Sequence, residues 1–262
     1  MKLRIGWRGF AGLVLSVVLS ACATQGGTSD ATGSLGAEKK NSPAKIYVEM
    51  GMAYMRDNRN AVALKKLKKA LEVDDSYADA HNVIAILYEK LGESDLAGKH
   101  YDRAVALDAK DPFIRNARGS YNCRRGRFEA ANQDFEQALS NPLYPTPWVA
   151  LTNAGLCTER QGKIEAAEGY YRRALTANPK YAAALIQMAG ISLKQKHYMS
   201  ARAYLERYHG ESKPSAASLM LGIRIERKLH DLAKAGEYRE RLLKDFPDSP
   251  EIQSLNQMER SQ

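Results

Sequence analysis

No HExxH, CxxC or GxSxG occurs anywhere in the 262 residues, and no glycine-rich phosphate loop is present. Those patterns supply, in turn, zinc with its general base, paired thiols, an exposed serine nucleophile and a cradle for phosphate. Their absence removes the common signatures of metal hydrolases, thiol redox enzymes and nucleotide users. The five histidines, His81, His100, His197, His209 and His230, are scattered through different repeats of the chain without ligand spacing, so no metal site is expected. Acidic residues are spread as solvent-facing helix positions, which gives paired catalytic carboxylates no special support. The expectation is a chain that is not an enzyme and takes no cofactor.

Long apolar runs are also missing. The run from Phe10 through Ala21 is broken by Gly12, Ser16 and Ser20, and it falls short of the roughly 20 apolar residues that a spanning helix needs. Excess charge is modest. Lys2, Arg4 and Arg8 account for three of the formal +9, and the +6 left over gives no reason to expect nucleic-acid binding.

What is present is a repeat. Residues 148–181, WVALTNAGLCTERQGKIEAAEGYYRRALTANPKY, hold two amphipathic segments, 148–161 and 164–178, joined by Gly162 and Lys163. Gly162 stands where a helix ends in a left-handed residue, and Pro179 closes the second segment because it cannot donate the next backbone hydrogen bond. With Trp148 as position 1, Gly occupies positions 8 and 15, Ala positions 20 and 27, an aromatic position 24 and Pro position 32. Positions 8, 11, 15, 20, 24 and 27 recur from Ala44 as Gly51, Tyr54, Asn58, Ala63, Leu67 and Ala70. From Ala78 they are Ala85, Tyr88, Gly92, Ala97, Tyr101 and Ala104, and from Pro112 Gly119, Asn122, Gly126, Ala131, Phe135 and Ala138. The frame from Ala182 is weaker, with Ala189, Ser192, Lys196, Ala201, Leu205 and Tyr208. A last frame from about Ser215 has Gly222 and needs one inserted residue before Ala235 and Pro247 fall into place.

This pattern resembles the tetratricopeptide repeat family, which implies an all-α solenoid of about six helix-turn-helix repeats over 44–246. Residues 247–262 are read as a capping helix and tail, with Ser249 as cap and Pro250 in the first turn. The segment 141–147, with three prolines, is two residues longer than the frame allows. It is expected to be a stiff, extended connection that divides the solenoid into halves of three repeats.

Residues 1–21 read as a secretory signal peptide. Its end, Leu19-Ser20-Ala21-Cys22, resembles the bacterial lipobox, which implies that Cys22 carries the lipid, and Ala23 in place of Asp implies sorting to the outer membrane. Residues 22–43 then form a lipidated tether too polar to bury surface, with a span of roughly 25 Å. Lys65, Lys66, Lys68 and Lys69 form a basic cluster that reads first as a solvated helix face and second as a contact to anionic lipid.

In the tetratricopeptide family the first helix of each repeat lines a concave surface through positions 2, 5, 9, 12 and 13. Repeat one places Lys45, Val48, Met52, Met55 and Arg56 there, and repeat two Asp79, Asn82, Ile86, Glu89 and Lys90. Exposed apolar side chains in a groove anchor partner segments, so Val48, Met52, Met55 and Ile86 are the expected partner-binding patch. Cys123 and Cys157 fall at positions 12 and 10 of adjacent first helices. Export makes a bridge conceivable, but helix axes about 8 to 10 Å apart, against a Cα limit of about 7 Å, favour two sheltered thiols.

A lipobox, a short tether and about six repeats with little else resemble the PilF/PilW group of type IV pilus biogenesis lipoproteins. The strings LGIRIE at 221–226 and FPDSPE at 246–251 add to that likeness. The resemblance implies a monomeric outer-membrane pilotin, facing the periplasm, that binds secretin subunits and promotes their localisation and assembly. The alternative reading is a periplasmic adaptor lipoprotein that regulates cell-wall enzymes.

Overall fold

The computed structural model describes residues 42–260. The expected signal peptide, the lipid site at Cys22 and most of the tether lie outside the described residues. Among the described residues the chain forms thirteen α-helices: α1 Ala44–Arg56, α2 Asn60–Val73, α3 Ala78–Lys90, α4 Ser94–Leu107, α5 Pro112–Arg124, α6 Phe128–Leu139, α7 Pro147–Arg160, α8 Ile164–Ala177, α9 Ala182–Lys194, α10 Tyr198–Glu211, α11 Ala216–Lys228, α12 Leu232–Asp245 and α13 Pro250–Arg260. Consecutive pairs from α1 to α12 make six repeats, and α13 follows them.

The turn inside each repeat is set by one residue with positive φ. These are Asn58, Gly92, Gly126, Gly162, Lys196 and His230, with φ between 58° and 81°. Glycine enters this left-handed region without a Cβ penalty, whereas Lys196 and His230 hold it against a steric cost.

Packing within a repeat follows from a small residue on the first helix and a large one sixteen positions later. A Cβ added to Gly51, Gly119, Gly155 or Gly222 would strike the side chain of Leu67, Phe135, Tyr171 or Tyr238 respectively. Repeat six therefore differs from its expected register. It begins at Ala216, one residue after the expected start, and runs to His230 without an insertion. Gly222 stands one place early in that frame, and its partner Tyr238 has moved with it.

Between repeats, each second helix packs on the next first helix, and the first helices α1, α3, α5 and α7 also touch in succession, as do α9 and α11. First helices that meet directly lie on the inner side of the curve. Charged side chains tie the stack. Asp134, 1% exposed, accepts from Arg115, Arg118 and Asn122, while Arg118 also reaches Asp102 of the preceding repeat. Arg202 of α10 holds the buried Glu226 of α11 and also Asp231.

Three expectations are corrected. Cys123 and Cys157 are joined by a disulfide, with Cα atoms 5.7 Å apart. Axis spacing was the wrong measure, because Cα atoms on facing sides each lie about 2.3 Å nearer the partner helix, which brings a 10 Å axis spacing to roughly 5.4 Å. The segment 141–147 is a folded turn instead of an extended rod: the Asn141 side chain accepts from the Leu143 N–H. Tyr144 is buried there, its ring edge-on to Phe113 of α5 and packed with Ala138 and Ala150, so α6 and α7 stay in contact. Ser249 does not cap α13 through its side chain, since the hydroxyl is buried without a partner; its carbonyl accepts from the Ile252 N–H. Helix α13 nonetheless covers the last repeat with Leu255, Ile252 and Met258 and turns Gln253, Asn256, Gln257 and Glu259 outward.

Candidate functional site

The amphipathic faces of α1 and α3 leave apolar side chains on the inner side that no third helix covers. Met52, Met55 and Arg56 from α1, with Val83, Ile86 and Lys90 from α3, line an open groove of about 340 Å³. Met52 is 43% exposed and Ile86 40%, and Met55 is half-buried. Thioether chains with three rotatable bonds adapt to irregular surfaces, so the floor suits an apolar side chain of variable shape. The rim is cationic. Lys90 donates from Nζ to the Met55 carbonyl at 3.0 Å, where a charge favours the carboxyl end of α1, and Arg56 is exposed beside it. No acid lines this groove.

Of the four residues expected in the patch, the structure brings Met52, Met55 and Ile86 together. Val48 is not among them. It is 5% exposed and sits in the core of repeats one and two with Ala44, Leu67 and Val83. Val83, at position 6 of repeat two, belongs to the same core and is 7% exposed, and its side chain borders the groove where that of Val48 does not.

The basic cluster is an amphipathic helix face. Lys65, Lys68 and Lys69 are exposed on α2 while Leu67 is buried, and Lys69 pairs with Glu72 at 2.9 Å.

His81 and His100, expected to lie apart, share repeat two, and their Nδ1 atoms are 3.0 Å apart. His81 Nε2 is 3.1 Å from the Asp75 carbonyl. With the proton on that nitrogen, Nδ1 of His81 accepts from Nδ1–H of His100, which requires a neutral His81 ring. Burial lowers both pKa values, and for His100 the neighbouring His81 and Lys68 lower it further. The signal was missed because the two rings are nineteen residues apart, on two helices. Among the described residues no group of three or more metal-ligating side chains occurs.

Tetratricopeptide repeat models match residues 48–112 and 117–182, and a second model of the same repeat matches 160–220. The type IV pilus assembly protein PilF of Pseudomonas aeruginosa is 29% identical over 242 residues, 92% of this chain and 95% of that protein. A crystal structure of PilW, described as a widely conserved type IV pilus biogenesis factor, superposes with a TM-score of 0.74 at 30% identity, covering 82% of this chain and 99% of PilW. The chain is a tetratricopeptide repeat protein of the PilF/PilW type. A structure of Pseudomonas aeruginosa PilF agrees, with a TM-score of 0.74 at 28% identity over 84% of this chain and 99% of PilF. Membership of the PilF/PilW type supports a role in type IV pilus biogenesis, and the repeats are of a kind that mediates contacts between proteins. In this PilF/PilW-type chain, the groove between α1 and α3 presents apolar side chains on the inner face.

Proposed function

We propose that this chain is an outer-membrane lipoprotein, anchored through Cys22, that holds secretin subunits of the type IV pilus machinery and promotes their arrival and assembly in that membrane. The observation that carries the reading is the likeness to PilF over 92% of the chain and 95% of that protein. The groove of Met52, Met55 and Ile86 supplies a physical means of capture. Acyl groups add about 0.8 kcal/mol per buried methylene, enough in combination to make attachment effectively permanent. Tethering then raises the local concentration of the client where its ring forms.

The test is to replace Cys22→Ser in the producing cell and to fractionate membranes. The reading expects the variant to leave the outer membrane and secretin multimers to fall there. Unchanged secretin with cell-wall hydrolases bound to the wild-type protein would favour an adaptor instead.

A further inference from the structure

The groove of repeats one and two has a counterpart two repeats further on. Met52, Met55 and Arg56 stand at positions 9, 12 and 13 of repeat one, and Val83, Ile86 and Lys90 at positions 6, 9 and 13 of repeat two. A second cavity, of about 170 Å³, is lined by Ser120, Cys123 and Arg124, then Asn153, Leu156 and Arg160. These are the same six positions in repeats three and four. Place is retained and chemistry is changed: two methionines, a valine and an isoleucine have become Ser120, the bridged Cys123, Asn153 and Leu156.

The junction between the two cavities and the one directly after the second are closed in a different way, by a carboxylate at position 12. At the junction of repeats two and three that position is Glu89, whose carboxylate receives Arg124 at 2.6 to 2.9 Å and the Tyr101 hydroxyl at 2.8 Å. At the junction of repeats four and five it is Glu159, which receives Lys194 at 2.6 Å and the Tyr171 hydroxyl at 3.1 Å. Where position 12 is Met55 or Cys123, no carboxylate bridges the junction and a cavity remains. Arg124 is committed to Glu89. Arg160 is exposed, and among the described residues no carboxylate pairs with it. A cation in the last turn also suits the dipole of α7. That accounts for a basic residue at position 13 in all six repeats, but not for a cavity that leaves this one facing Leu156 and Asn153.

We propose that the cavity of repeats three and four is an acid-reading subsite for the same partner segment that enters the first groove. The inference rests on the reading that a partner lies in that groove. An extended chain held by apolar side chains on Met52, Met55 and Ile86 continues along the first helices and places an Asp or Glu carboxylate on Arg160. Two repeats of helices about 10 Å apart span about 20 Å, which an extended chain rising about 3.3 Å per residue covers in roughly six residues. The partner is thus defined by chemistry: an apolar cluster followed, at that spacing, by an acid. Charge complementarity selects this occupant, since the free group is a guanidinium that takes a carboxylate in two parallel hydrogen bonds.

The experiment is a selection of random sixteen-residue peptides, displayed on phage, against the immobilised full chain in detergent and against its Arg160→Glu variant. Wild-type protein is expected to enrich apolar clusters with an acid about six residues away, and Arg160→Glu to enrich Lys or Arg at that place. In a selected peptide, changing the acid to its amide should weaken binding about fivefold, the scale of an exposed ion pair. Circular dichroism of Arg160→Glu should match wild type, because the side chain is on the surface. Identical enrichment by both proteins, or no enrichment by either, overturns the subsite. Enrichment that keeps the acid preference while secretin fails to bind would overturn the identity of the client and leave the subsite standing.

Discussion

Gly155 lies under the ring of Tyr171: a Cβ on Gly155 would come within 2.5 Å of the ring carbon Cε1. Gly155→Ala should therefore destabilise repeat four by about 1 to 2 kcal/mol, the cost of overpacking exceeding the gain in helix propensity. Gly169→Ala, on exposed α8 surface with nothing within 4 Å of the added carbon, should stabilise by about 0.5 to 1 kcal/mol. Urea midpoints of the two variants, moving in opposite directions, check the pair.

Lys196 holds φ at 64° in the turn of repeat five, where repeats two to four have glycine. Lys196→Gly should raise stability by about 0.5 to 1 kcal/mol, since the relief of the left-handed strain outweighs the added freedom of the unfolded chain. A thermal melt in which Lys196→Gly unfolds earlier than wild type would contradict this.

The Cys123–Cys157 bridge closes a loop of 34 residues between adjacent repeats. Removing it with Cys157→Ser should cost about 3 to 4 kcal/mol and uncouple repeats three and four more than their neighbours. Hydrogen exchange before and after reduction measures this: protection should fall first in α5 and α7.

Acid should loosen repeat two. Burial lowers the pKa values of His81 and His100 in repeat two, so the unfolded chain binds more protons than the folded one once pH drops to about 6.5. Stability is then fully present above that value and is lost as pH falls through 6.5 toward the lowered folded pKa values. Asp75, Arg103, Lys68 and the Tyr88 ring face the His81–His100 pair, and Asp75 is the acid among them that would soften the effect. His100→Gln should flatten the drop in melting temperature between pH 7 and pH 5; an unchanged slope would show that the pair does not carry it.

Much of this architecture was legible because the repeat fixes residues by steric need. Glycine at the turn of position 15 in repeats two to four, with a small residue at position 8 and a large one at position 24, recurs often enough for spacing to expose it. Repeat six misled because Gly222 and Tyr238 moved together by one place, which preserves their contact and breaks the frame. Val48 misled because a position number names a helix face only to within about a residue, and here position 5 of α1 turns into the core of repeats one and two. The bridge between Cys123 and Cys157 was visible as a separation of one period, 34 residues, but generic axis spacing obscured it. The His81–His100 contact left no trace in sequence, since it depends on how α3 and α4 cross.

Capture by the first groove is the centre of the account, and replacing its floor with charge tests it most directly. Wild-type chain and the Met52→Glu, Met55→Glu double variant are immobilised at equal helicity and exposed to detergent-solubilised secretin subunits. Retention by the wild type and a loss of at least about tenfold in the variant, consistent with apolar anchors worth more than 1.4 kcal/mol, is the predicted result. Equal retention by both proteins would contradict the account.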